Sequence, residues 1–164
     1  MIQTKYNILD CAGCSQCPSK LYAKQDTKVK LGFGNVYANK LIILPVYSID
    51  YAGGNYISAI NIIKDYVKDI EENYYVTMHP KCYIPQYDIR NNTGKYCAWI
   101  LNKELNKINA KYLLAFGDVD LSVVNATILA KFIIKRYFNP YCMVVGNNYV
   151  KEKFKEQIKE MESL

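Results

Sequence analysis

Leu41-Ile42-Ile43-Leu44-Pro45-Val46 is the stretch on which the fold turns. A short, β-favouring run with no polar alternation predicts a strand buried on both faces, because a strand with one wet face would alternate apolar and polar side chains. Downstream, Ile57, Ile60, Ile63, Val67 and Ile70 recur three and four residues apart, opposite Lys64, Lys68 and Asp69, which predicts an amphipathic helix. Tyr74-Tyr75-Val76-Thr77-Met78 predicts a second strand. Between Pro80 and Gly94 the periodicity disappears, and Pro85, Asp88, Asn91, Asn92 and Gly94 predict a loop. A second stripe, Cys97, Ile100, Leu101, Leu105 and Ile108, predicts a helix that feeds the strand Tyr112-Leu113-Leu114-Ala115-Phe116, closed by Gly117.

Residues 119–137 carry helix-like apolar stripes among Ser122, Asn125 and Lys131, and Asn139-Pro140 ends them. Met143-Val144-Val145 predicts a short last strand, and Tyr149, Phe154, Ile158 and Met161 predict a terminal helix among lysines and glutamates. Strands alternating with helices imply an α/β fold in three layers, a mainly parallel central sheet flanked by helices. No internal repeat or linker interrupts the pattern.

With 164 residues, 51% of them hydrophobic, the chain suits a single domain spanning 1–164 with a sizeable core. It lacks a run of about 18 apolar residues. Met1-Ile2-Gln3-Thr4-Lys5 lacks a charged-then-apolar secretory pattern. The expectation is a cytoplasmic or otherwise intracellular protein, neither secreted nor in a membrane. The net charge of +6 favours an anionic partner, although heavy use of Lys, Asn, Ile and Tyr also fits an AT-rich coding sequence.

Six cysteines in a reducing compartment point to metal ligands or buried thiols rather than disulfides. Cys11-Ala12-Gly13-Cys14 sets two thiols on a tight turn, Cys82 follows a strand, and Cys97 begins a helix. Four sulfurs can therefore converge on a [4Fe-4S] cluster or, on the same ligands, zinc. The plainer reading makes Cys82, Cys97 and Cys142 small buried hydrophobes, and for Cys142 it is preferred. Cys17 completes a ferredoxin-like start, but no fourth cysteine follows at the short ferredoxin interval.

Read in order, Cys11-x-x-Cys14-x-x-Cys17, Lys30-Leu31-Gly32-Phe33-Gly34-Asn35, Ala38, Leu41 to Leu44, Lys81-Cys82, Cys97, Glu104-Leu105, Ile108 and Lys111 to Gly117 resemble the iron-sulfur uracil-DNA glycosylases. The resemblance covers roughly nine-tenths of the chain and implies a glycosylase-like fold, with a [4Fe-4S] cluster on Cys11, Cys14, Cys82 and Cys97.

The active-site positions depart from that family. Where the family carries an acidic residue that assists water attack, Val46 stands. The uracil-reading asparagine falls at Met78, and the late His-Pro motif reads Asn139-Pro140. Tyr56 takes roughly the place of the aromatic that stacks on a flipped base, its plainer reading being a core-edge ring. Asp50 is a candidate replacement acid, though a solvated loop carboxylate is the simpler reading. His79, the single histidine, is a candidate shifted catalytic group, with a structural place beside the cluster preferred. Lys20, Lys24, Lys28 and Lys30 are candidate phosphate contacts, or an ordinary solvated face.

Three functions stay in view. The favoured one is a DNA-binding or replication-associated protein that has lost base excision. The second is an active DNA glycosylase with relocated residues, hydrolysing an N-glycosidic bond. The third is a protein-interaction subunit of a DNA-processing complex, with the 16 tyrosines supplying an interface.

Overall fold

The computed structural model describes residues 31–46, 48–50, 56–81 and 87–164, and of residues 48–50, 56 and 87–93 it describes the backbone only. In chain order the elements are β1 (Phe33–Gly34), β2 (Lys40–Pro45), β3 (Ser48–Asp50), β4 (Tyr56–Ser58), α1 (Ala59–Tyr66), α2 (Ile70–Asn73), β5 (Tyr75–His79) and α3 (Tyr87–Lys107). There follow β6 (Tyr112–Phe116), α4 (Ala126–Leu129), β7 (Ile133–Tyr137), α5 (Cys142–Val145) and α6 (Asn148–Ser163).

The apolar run at 41–46 forms the central strand, and Leu41, Ile42, Ile43 and Leu44 have no exposed surface. The five-stranded sheet has the order β1-β5-β2-β6-β7; β2 is parallel to β5 and β6, β6 is parallel to β7, and only β1 runs antiparallel. Helices cover both faces, which fits a three-layer fold. On one side Ile42, Leu44, Val76 and Phe116 pack with Ile62 and Ile63 of α1 and Phe154, Ile158 and Met161 of α6. On the other, Leu41, Ile43, Tyr75 and Leu113 pack with Leu101 and Leu105 of α3 and with Val124 and Phe132. β3 and β4 form a separate antiparallel pair.

Several segments differ from expectation, each for a physical reason. Ile57 lies on strand β4, and the helix expected from Ile57 to Ile70 divides into α1 and α2, with Asp69 between them in a left-handed conformation at φ 47°. Aspartate tolerates that conformation better than most residues. The expected loop from Pro80 to Gly94 ends early, because α3 begins at Tyr87. Gly94 is no helix breaker here: a Cβ there would stand 2.6 Å from Nε2 of His79, so the glycine lets α3 lie close on β5.

Within 119–137 the helix-like stripe produces only the four-residue α4, capped by Asn125 Oδ1 accepting from Thr127 N, and then strand β7. Its apolar spacing reflects contact with the second core, where Val119, Leu121, Val124 and Phe132 are all buried, rather than one continuous helix. Met143-Val144-Val145 is helical, not a strand. Backbone bonds from Met143 N to Pro140 O and from Val144 N to Tyr141 O satisfy the turn locally, overriding the β preference of the valines. Strands β2, β5 and β6 and helix α6 stand where the sequence puts them, and Asn147 Oδ1 caps α6 by accepting from Val150 N at 3.0 Å.

Candidate functional site

A parallel sheet of this order has a place where neighbouring strands send the chain in opposite directions. From β2 the chain crosses toward β5, and from β6 toward β7, so a crevice opens beyond the carboxyl ends of β2 and β6. Val46 leaves β2 there, 4% exposed. Gly117 leaves β6 with φ +66°, and a Cβ on it would stand 2.8 Å from Nδ2 of Asn139. Oδ1 of Asn139 accepts from Tyr141 N at 3.2 Å, and the buried Tyr141 hydroxyl accepts from Ala59 N at the start of α1. The Asn139-Pro140-Tyr141 turn is thereby tied to β6 and α1 together. Met78 pairs with Leu44 in register and packs against the first core.

The opposite face of β5 is polar and buried. Thr77, His79 and Lys81 alternate, so all three point toward α3, whose residues Cys97 and Glu104 meet them. Lys81 has no exposed surface and forms an ion pair with Glu104, whose side chain is 11% exposed. Its ammonium also donates to the Thr77 hydroxyl. Thr77 Oγ1 donates to Glu104 Oε2 at 2.8 Å, and Gly32 N donates to Glu104 Oε1 at 2.7 Å. Burial pulls Lys81 below the usual lysine range, and the Glu104 carboxylate opposes that pull. Lys81 N donates to Cys97 Sγ at 3.3 Å, and Sγ lies 3.5 Å from the Gly94 carbonyl.

His79 is 4% exposed, and neither ring nitrogen has a hydrogen-bond partner among the described residues. Burial chiefly, with the Lys81 charge adding, lowers its pKa from 6.5 to about 4, and Asp120 opposes the change. The folded imidazole is therefore neutral. Below pH 6.5 the unfolded chain takes up a proton that the folded chain refuses until about pH 4. This contribution is fully present above 6.5 and is lost as pH falls toward 4, on the order of 3 kcal/mol in all. Urea titrations should show wild-type stability declining across that window and a His79→Leu chain declining less. Equal pH slopes in the two proteins would mean that the imidazole is not held neutral.

Of the residues singled out from sequence, Cys97, His79 and Asn139 are described, and they do not form one constellation. His79 and Cys97 lie on the α3 side of β5, whereas Asn139 lies beyond β6. Cys11, Cys14, Cys17, Cys82, Lys20, Lys24, Lys28 and Lys30 lie outside the described residues, as do the side chains of Asp50 and Tyr56. Cys142 is partly buried at the edge of the first core, and burial pushes its thiol pKa up.

The Lys81-Glu104-Thr77 network was not assigned from sequence. Its signal is three polar residues alternating along an otherwise apolar strand, facing a glutamate set within the stripe Cys97, Leu101, Leu105 and Ile108. Two surface clefts, of about 520 and 590 Å³, lie away from this network and from the strand-end crevice; the second is lined in part by Trp99, Lys103 and Val123. No helix among the described residues is long and apolar enough to cross a membrane. Searches against protein-family models and against curated proteins find no match for this chain.

Proposed function

We propose that the chain is a DNA-binding or replication-associated protein with a uracil-DNA glycosylase-like fold, holding a [4Fe-4S] cluster on Cys11, Cys14, Cys82 and Cys97 and lacking uracil excision. The observation that carries the metal reading is the bond from Lys81 N to Cys97 Sγ. It brings the residue beside Cys82 to the thiol of Cys97, so two cysteines well apart in sequence reach one place. Cys97 is 7% exposed, and an amide N–H directed at its sulfur suits a thiolate ligand. A cluster bound there would contribute folding energy, since metal binding and ordering of its ligands are one equilibrium. Support for lost chemistry comes from the crevice, where Val46, Met78 and Asn139 stand in place of the family's acid, amide and imidazole.

Visible absorbance with iron and zinc analysis on anaerobically prepared protein tests the centre. Wild type should bind iron, Cys97→Ala should lose most of it, and Cys142→Ala should keep it. Full iron occupancy in Cys97→Ala removes the four-ligand assignment, and zinc without iron replaces the cluster with a zinc site. DNA affinity should fall steeply with added salt, and charge reversal at Lys20, Lys24, Lys28 and Lys30 should weaken it.

One observation favours a second reading, the interaction subunit. Edge strand β7 exposes Ile133 and Ile134, and Phe138 follows them, 42% exposed. A salt-insensitive protein complex without DNA affinity would select that reading.

A further inference from the structure

We infer that Glu104 and Lys81 are positioning residues of the metal centre, a carboxylate and an ammonium that draw together the three chain segments bearing the cysteines. The inference rests on the cysteine-bound metal proposed above.

The first segment is the N-terminal stretch bearing Cys11 and Cys14, which joins the described fold near Gly32; Gly32 N donates to Glu104 Oε1 at 2.7 Å. The second leaves β5 through Lys81 into Cys82, and the Lys81 ammonium pairs with Glu104. The third is α3 itself, in which Glu104 lies two turns beyond Cys97 on the same buried side. Lys81 closes the loop, since its own N–H reaches Cys97 Sγ. One carboxylate is thus bonded to two of the ligand-bearing segments and built into the third.

The energetics of the pair favour a role in placement over one in stability. An ion pair with one fully buried partner rarely stabilises a fold more than apolar side chains of similar volume would, because both charges lose water. What such a pair does supply is direction. Thr77 Oγ1 is held by the same two side chains, leaving the carboxylate one geometry that satisfies all its donors. Groups that orient metal ligands from behind commonly change metal affinity by about 10–100-fold when replaced.

The test uses the full chain, prepared anaerobically as wild type, Glu104→Gln, Lys81→Met and the double replacement Lys81→Met/Glu104→Leu. Three quantities are read: metal per chain, the rate at which a chelator strips it, and the thermal midpoint of the metal-free protein. Glu104→Gln and the double variant should lose metal about tenfold faster than wild type or more. The double variant should keep the metal-free midpoint of wild type, because no buried charge is left unpaired; it therefore remains informative if a single variant fails to fold. A double variant that matches wild type in metal lifetime overturns the inference, since the pair would then serve the fold alone. Wild type carrying neither iron nor zinc overturns the proposed centre and this inference with it. Wild type with metal, beside variants that hold it equally long, overturns this inference only.

Discussion

Wild-type protein is expected to release no uracil from single- or double-stranded DNA at a rate comparable with active glycosylases. Val46, nearly buried at the end of β2, has no carboxylate to orient water, and a lost general base commonly costs about 10²–10⁴ in rate. Met78 offers a thioether, a weak acceptor, where two polar groups of a base must be read. Asn139 donates and accepts but carries no charge; its Oδ1 already accepts from Tyr141 N, and its amide group lies against Gly117. Loss of one charge-stabilising donor commonly costs about 10²–10³. The three losses fall on different steps, so stacking by Tyr56 would not restore the rate. Controls with Asp50→Asn and His79→Ala separate relocated chemistry from contamination, because a contaminating enzyme survives both substitutions. Robust excision abolished by either one overturns the non-catalytic reading.

Glu104→Ala should be among the most destabilising single substitutions in this chain, at about 3–5 kcal/mol. It deletes the acceptor for Gly32 N, for the Thr77 hydroxyl and for the fully buried Lys81 ammonium. The lysine cannot reach water without leaving the core, so the cost is mainly that of an uncompensated charge rather than a lost attraction. Urea unfolding monitored by circular dichroism measures the loss, and adding Lys81→Met to the alanine variant should recover much of it. A loss below about 1 kcal/mol would show that the pair is solvated in solution, as exposed pairs are.

The parts of the fold legible in sequence were those in which burial alone sets the pattern. β2 is unbroken and apolar because both its faces are covered, and α6 shows Phe154, Ile158 and Met161 at helical spacing because one face is. β7 was not legible, since an edge strand with exposed Ile133 and Ile134 beside Lys135 and Arg136 obeys neither pattern. The start of α3 was hidden by Gly94 and the asparagines, residues that disfavour helices in isolation; at Gly94 the reason is the approach of His79. Of the candidate site, Cys97 could be named from its place at the head of a stripe. The Lys81-Glu104 pair could not, because single charges in strand and helix patterns ordinarily face solvent, and only the fold turns these two toward each other.

The two borders of the sheet are unequal. Beside β5 the two-residue β1 lies antiparallel and covers part of that strand's hydrogen-bonding edge, while beyond β7 no further strand pairs among the described residues. A chain that can accept a foreign strand on one side only cannot polymerise by strand addition, because propagation needs a free donor border and a free acceptor border on every copy. Edge-to-edge association through β7 would stop once two such borders had met. The short β1 thus acts as a terminator, and lengthening or deleting it bears more on filament growth than on the stability of the fold.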